Sequence, residues 1–205
     1  MTGRPRRDEP AAESEVRDED WSGRTLSCER YERVAFVDVD MTEVDDSGCV
    51  FDGCTFRGVR FNASRHSGAA FLSCTFRACT FFDTTLTGCK LVGSTFDRCT
   101  FASLEVDGGD WSLVGLAGAD LRRVRVDGAR MREADLTEVN GEGMTLRGVD
   151  LTGAWMHGAD LTRADLRGAE LATVDPLTVR LAGAVVGVEQ AVAIAGALGL
   201  DVRAD

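Results

Sequence analysis

Few side chains in this chain could do chemistry. Among 205 residues there are two histidines, His66 and His157, and seven cysteines. Asp46 and His66 stand 20 residues apart, with Ser47, Ser64 and Ser67 close in sequence. An Asp-His pair beside a serine is the raw material of nucleophilic catalysis, which also needs a substrate pocket. Cys49 with Cys54, and Cys74 with Cys79, are each separated by four residues, inside the loose spacing of zinc ligands. No phosphate loop, dinucleotide fingerprint or metalloprotease motif accompanies them. What any of these groups can do depends on the elements that hold them.

Those elements follow a period of five. Of the 31 positions reached by stepping five at a time from Tyr31 to Leu181, 27 are apolar; Asp46, His66, Gly141 and Pro176 are the exceptions. Nine of the ten phenylalanines fall in this phase, and Phe82 alone does not. Stepping from Val34 to Ala184 meets a small residue at 29 of 31 positions, Leu104 and Met144 excepted. Neither a helix of period 3.6 nor a strand of period 2 makes this pattern. A right-angled coil does, with five residues per side, one large and one small side chain pointing in, and three pointing out. Gly48, Gly68, Gly88, Gly108, Gly128, Gly148 and Gly168 recur every 20 residues, as one corner of a four-sided coil would. The expected fold is therefore an all-β solenoid, a right-handed quadrilateral β-helix over 21–184. Stacked at strand spacing, 31–183 would form a core roughly 37 Å long.

The coil recasts the chemistry. Six cysteines (Cys49, Cys54, Cys74, Cys79, Cys89 and Cys99) take the small inward position, where cysteine acts as a small hydrophobe. No metal and no cofactor is expected. Cys54 and Cys74, and Cys79 and Cys99, would lie in adjacent coils within disulfide range, but a reducing cytosol argues against bridging. Cys28 is off the phase and is the expected exposed thiol. Asp46 and His66 would stack on one side. They either form a buried, mutually hydrogen-bonded pair or sit where the sides bulge into water, and the bulge is the favoured reading. His157 points outward. A packed interior leaves no ligand pocket, so the protein reads as non-enzymatic.

Acids number 34 against 23 lysines and arginines, a net charge of 23 − 34 = −11. That balance argues against direct nucleic-acid binding. No apolar run reaches the ~20 residues of a membrane span, and the first residues lack the apolar core of a secretory signal, so a cytoplasmic protein is expected. Arginine outnumbers lysine 22 to one, a sign of a GC-rich genome. Residues 1–20 carry many charges and little apolar surface and read as a disordered tail. In 185–205, residues 188–198 read as a helix. Its face of Val188, Ala191, Val192, Ala195 and Leu198 would cap the solenoid and make a homodimer interface. The clearest acidic patch is Glu105, Asp107, Asp110, Asp120 and Asp127.

Ala119-Asp120-Leu121, Ala134-Asp135-Leu136, Ala159-Asp160-Leu161 and Ala164-Asp165-Leu166 match the Ala-(Asp/Asn)-Leu motif of pentapeptide-repeat proteins. A looser form with phenylalanine at the centre runs from Cys54-Thr55-Phe56 to Cys99-Thr100-Phe101. The run Leu171 to Pro176, the helix segment and Arg65 to Phe71 resemble the quinolone-resistance branch of that family. This resemblance implies rod-shaped homodimers joined through the C-terminal helix. They would mimic DNA, bind DNA gyrase and also topoisomerase IV, and inhibit gyrase or protect it from fluoroquinolones. The long loops of some members are absent here. The acidic patch would be the gyrase-contacting surface. The residues of 31–205 carry 26 acids and 17 basic groups, whereas 37 Å of duplex DNA carries about 22 charges, so net charge alone makes a weak mimic. The alternative is a scaffold that binds a non-topoisomerase partner.

Overall fold

A computed structural model describes residues 11–203. The chain winds as a parallel β-solenoid with four walls, followed by one helix, α1 (Val188–Ala197). Wall 1 is centred on Val16, Phe36, Phe56, Phe76 and Phe96, and five strands from Ser14–Arg17 to Thr95–Asp97 pair along it. Wall 2 follows one side later and contains Phe61, Phe81 and Phe101. Wall 3 is the longest sheet, seven strands from Thr25–Ser27 to Thr145–Arg147. Wall 4 contains Tyr31, Phe51 and Phe71. Every strand pair is parallel with an offset of 20, as in Phe56 with Phe76 and Val106 with Val126. Beyond the strands, single bridges continue the ladder at the same offset as far as Asp165 with Val185.

The large inward residues stack on their own kind. On wall 1, Phe36, Phe56, Phe76 and Phe96 form a column with ring centroids 5.0, 4.8 and 4.6 Å apart and nearly parallel planes. Columns on walls 2 and 4 meet it edge to face at 5.5–6.0 Å. Such contacts add about 0.5–1.5 kcal/mol per pair beyond area burial. The exceptions to the pattern compensate for one another. Gly141 leaves a large inward position empty, and a Cβ there would lie 2.5 Å from Met144 Sδ. Methionine at a position that elsewhere holds a small residue thus fills the space that glycine vacates.

One expectation is corrected at the N-terminal end. The first coil begins by Glu13, whose N–H donates to Arg33 C=O at 2.7 Å, and Ser14–Arg17 pairs with Val34–Val37. The expected disordered tail therefore ends earlier, because Val16 occupies the inward phase and packs on the core. The part of that tail in residues 1–10 lies outside the described residues. The 20-residue glycine corner is present, with φ from 58° to 72° between Gly48 and Gly148. Left-handed corners also occur at non-glycine residues such as Asp38, Arg98 and Glu138.

Gly109 holds a different kind of position. It is an inward residue at φ 89°, and a Cβ there would meet Cys89 O at 2.1 Å. Its neighbour Gly108 turns a corner in open space. Gly109→Ala is expected to cost about 2–4 kcal/mol in denaturant unfolding, because two coils must move apart. Gly108→Ala should cost about 1 kcal/mol, from backbone strain alone. Equal losses would show that steric contact between coils is not the constraint at Gly109.

Candidate functional site

Asp46 and His66 are brought together, and the expected bulge does not form. Their strands stay in register, with Asp45, Asp46 and Ser47 opposite Arg65, His66 and Ser67. Asp46 is 0% and His66 2% exposed. His66 Nδ1 lies 2.9 Å from Asp46 Oδ2, and Nε2 lies 3.1 Å from Ser64 Oγ. The second carboxylate oxygen accepts the Cys49 N–H at 3.1 Å. Ser64 Oγ donates to Phe61 C=O at 2.6 Å, and Thr84 Oγ1 donates to the same carbonyl at 2.8 Å. With its one proton committed to Phe61, Ser64 can only accept from Nε2. A single further proton is shared between Nδ1 and Asp46, so the pair is neutral as a unit. Burial alone would raise the Asp46 carboxyl, but the bond and charge of His66 outweigh it and the group sits below its ordinary range. The edges of Phe61 and Phe71 close the site at 5.9 and 5.5 Å from the imidazole. Serine, histidine and aspartate thus stand in a catalytic order with no surface for a substrate, and their role is structural.

The inward cysteines behave likewise. Cys54, Cys74, Cys79, Cys89 and Cys99 each donate to the carbonyl 23 residues earlier, at 3.2–3.5 Å. Ser94 and Thr84 make the same bond at 2.8 Å. The shared hydrogen bond explains why Cys, Ser and Thr interchange at this position. All seven thiols are free, and burial pushes Cys49 up to about 12 and Cys89 up to about 11. Cys28 is exposed. Among the described residues no three metal-ligating side chains converge.

The five acids expected as one patch are split over three walls. Glu105, Asp107 and Asp127 share wall 3, with Asp107 directly opposite Asp127 and Glu105 opposite Arg125. Asp110 is on wall 4, where Arg130 meets it at 3.0 Å. Asp120 is on wall 2 and is bonded by Arg122 at 2.6 Å. Asp127 is paired with Arg125 at 2.7 Å. Among the described residues Glu105 and Asp107 have no such partner. The aspartates before the inward large residue also serve the fold. Asp40, Asp110, Asp150 and Asp160 accept the N–H two residues on at 3.0–3.1 Å, which turns the chain at the corner. An acidic edge missed in the sequence comprises Asp18 and Asp38 at the corner of walls 1 and 2, and Asp20 and Asp40 on wall 2. The inward phase of Val16 was the available signal. Within that edge Arg60 bonds Asp40 at 2.7 Å and holds its carboxyl down at about 2.

The helix is present, but its predicted face does not cap the coil. Val188 is 84% exposed, and Val192 and Leu198 are also open; Ala191 is exposed and Ala195 half-buried. Ile194 instead leans on the core. The anchor is Gln190, which the sequence reading passed over. Its Nε2 donates to Leu166 C=O at 2.6 Å and Ala169 C=O at 2.7 Å. Its Oε1 accepts the N–H groups of Gly168 and Gly187 at 3.2 and 2.7 Å. One amide thereby satisfies four backbone groups at the end of the rod.

The Pentapeptide repeats family (8 copies) matches residues 116–153 and 145–175. No curated protein matches the chain in sequence. Among solved structures, the chain is similar to a trypsin-treated variant of QnrB1, a plasmid-mediated fluoroquinolone resistance protein. The two are 16% identical over 93% of this chain and 100% of that one, with a TM-score of 0.53. HetL, a pentapeptide repeat protein involved in heterocyst differentiation regulation from the cyanobacterium Nostoc sp. strain PCC 7120, is 19% identical. That comparison covers 78% of this chain and 89% of HetL, with a TM-score of 0.42. At 16% identity the likeness to the QnrB1 variant is one of fold. Residues 116–175 are pentapeptide repeats, and they build the same coil as the rest of the rod.

The sealed Asp46–His66 pair yields a test. Asp46→Leu or His66→Leu is expected to cost about 3–5 kcal/mol, since each leaves a buried partner unsatisfied. Replacing both by leucine should recover most of that loss, because an apolar pair fits the column. Additive losses in this double-mutant cycle, measured by denaturant unfolding, would contradict direct pairing.

Proposed function

We propose that this protein is a non-enzymatic, DNA-mimicking binder of DNA gyrase that inhibits the enzyme or protects it from fluoroquinolones. The observation that carries this reading is the charge layout at mid-rod on wall 3. Glu105 and Asp107 lie in one coil and Asp127 in the next, about 4.8 Å along the rod, on the longest sheet of the molecule. A stiff rod with a cluster of carboxylates at its middle suits a basic, elongated groove of the kind that holds duplex DNA, and its field steers it there. The gyrase-contacting set is therefore revised to Glu105, Asp107 and Asp127. Asp110 and Asp120 are left out because they face other walls.

The same reading includes a two-fold dimer. The exposed face of Val188, Val192 and Leu198, with Leu200 and Val202 beyond it, leaves apolar surface in water on a helix with no buried residue. A second copy of α1 would cover it. Among the described residues no helix is long and apolar enough to cross a membrane.

A scaffold with a different protein partner is favoured by one observation. Arginines sit across many of the carboxylates, as in Arg132 with Asp150 at 2.6 Å and Arg180 with Asp160 at 3.2 Å, which lowers the charge density below that of DNA.

Purified protein titrated into a gyrase supercoiling assay, with and without a fluoroquinolone, separates the two. Inhibition or fewer drug-stabilised breaks is expected at about micromolar protein. Combined Glu105→Lys, Asp107→Lys and Asp127→Lys should weaken it at least about tenfold, or 1.4 kcal/mol, with the fold unchanged. Val192→Glu should give monomers in analytical ultracentrifugation. No effect on gyrase at large molar excess would leave the scaffold reading, and inhibition untouched by the triple variant would remove wall 3 from the contact.

A further inference from the structure

We propose that Cys99 and Cys79 form a peroxide-responsive thiol pair, reached from solvent through a seam in wall 2. Wall 2 is held by repeating backbone bonds between coils. Thr100 N–H donates to Cys79 C=O at 2.9 Å, and Asn140 N–H donates to Ala119 C=O at 2.9 Å. Among the described residues the equivalent bond between those levels, from Asp120 N–H to Cys99 C=O, does not form. Its companions are missing too. Leu121 N–H reaches Asn140 C=O at 2.7 Å, but Phe101 N–H does not reach Asp120 C=O. Asp83 N–H reaches Ala102 C=O at 2.9 Å, but Ser103 N–H does not reach Arg122 C=O. A bridge joins Asp120 to Asn140, and none joins Thr100 to Asp120. Walls 1 and 3 stay closed at this level, with Phe96 N–H on Gly115 C=O and Arg125 N–H on Leu104 C=O, both at 2.9 Å.

The seam changes the exposure of one thiol. Cys54, Cys74, Cys79 and Cys89 are 0–1% exposed, whereas Cys99 is only half-buried. Ala119, opposite Cys99 across the seam, is half-buried as well. Cys79 lies directly behind Cys99, one coil away at about 4.8 Å along the rod. That spacing falls within the Cα separation of about 4.4–6.8 Å that a disulfide needs. The two sulfurs are held alike, Cys79 Sγ on Phe56 C=O at 3.4 Å and Cys99 Sγ on Phe76 C=O at 3.5 Å. As a thiolate, Cys99 can accept from the Cys79 thiol, which holds Cys99 below its ordinary range; burial pushes Cys79 up. Cys54 and Cys74 stack in the same way, but Thr75 N–H and Thr95 N–H close their ladder at 3.0 and 2.9 Å, and both thiols are sealed. A reachable thiol of lowered pKa with a second thiol behind it is the arrangement that reacts with peroxides.

The Cys99 thiolate attacks one oxygen of hydrogen peroxide. The O–O bond breaks, the other oxygen leaves as hydroxide and takes up a proton, and Cys99 becomes a sulfenic acid. The Cys79 sulfur then attacks the Cys99 sulfur and gives up its proton, and the hydroxide it displaces leaves as water. Two thiols are oxidised to one disulfide, and one peroxide is reduced to two waters. The bridge ties two coils beside the seam and constrains the unfolded chain, so the oxidised protein resists unfolding more strongly. The pair lies at the corner of walls 1 and 2 and does not depend on the gyrase assignment.

Full-length protein carrying Cys28→Ser, which removes the exposed thiol, is treated with about a tenfold molar excess of hydrogen peroxide. Free thiols are then blocked, and tryptic peptides are read by mass spectrometry without reduction. Residues 78–90 and 99–122 should appear joined through Cys79 and Cys99, and reduction should part them. Cys54 and Cys74 should join at least about tenfold more slowly. Cys99→Ser keeps the bond to Phe76, as Ser94 does with Phe71, and should abolish the link. In Cys79→Ser, Cys99 should remain a sulfenic acid and be trapped by dimedone. The seam itself should show as amide exchange at Phe101 and Asp120 at least about tenfold faster than at Leu121 and Asn140. Absence of the link in the folded protein, or equal rates for the two pairs, would overturn the proposal. Equal protection of the four amides would do so as well, because it closes the route to Cys99.

Discussion

Stacking at an offset of 20 residues, about 4.8 Å per coil, is the constraint on which this molecule depends. Every side chain has residues 20 before and 20 after as its nearest neighbours along the rod. Inside, that rule is satisfied by like on like. Flat rings tolerate a repeat close to strand spacing, and the phenylalanine columns have centroids 4.6–5.4 Å apart. Where a column changes type, the new residues must suit each other. Asp46 and His66 are such a case, as neither would be tolerable in the core without the other.

Outside, the same rule makes like stacking a problem for charge. Asp107 faces Asp127 at strand spacing, where equal charges repel. The surface relieves this by placing arginine across from aspartate, as in Arg60 with Asp40 and Arg130 with Asp110. Many aspartates also hold a corner amide, so their positions answer to the turn as well as to any partner. A negatively charged rod built this way has its density limited by its own stability. Glu105 and Asp107 stand out because, among the described residues, neither holds an ion pair or a corner amide.

The five-residue period and the 20-residue glycine corner made the solenoid legible in the sequence, since both follow from backbone geometry alone. The bond that Cys, Ser and Thr share was visible only as a preference for small residues. Asp46 and His66 could be placed on one side, but whether the backbone followed them inward depended on Ser64 and Thr84 meeting one carbonyl. Charges in residues 13–20 hid the inward phase of Val16. The helix face was drawn from its periodicity, whereas its attachment rests on one polar residue, Gln190, which meets carbonyls left open by the last coil. Distribution of the acids over walls could be counted, but not which arginine each one would find. Pro176, an exception in the pattern, lies where the wall 1 ladder stops after Trp155.

The central claim is that the rod takes the place of DNA on gyrase. Fluorescence anisotropy of a labelled duplex bound to gyrase, titrated with this protein at two salt concentrations, tests it most directly. Complete, mutually exclusive displacement of the duplex, weaker at the higher salt, is the expected result. A ternary complex in which the protein binds gyrase and the duplex stays bound would contradict it.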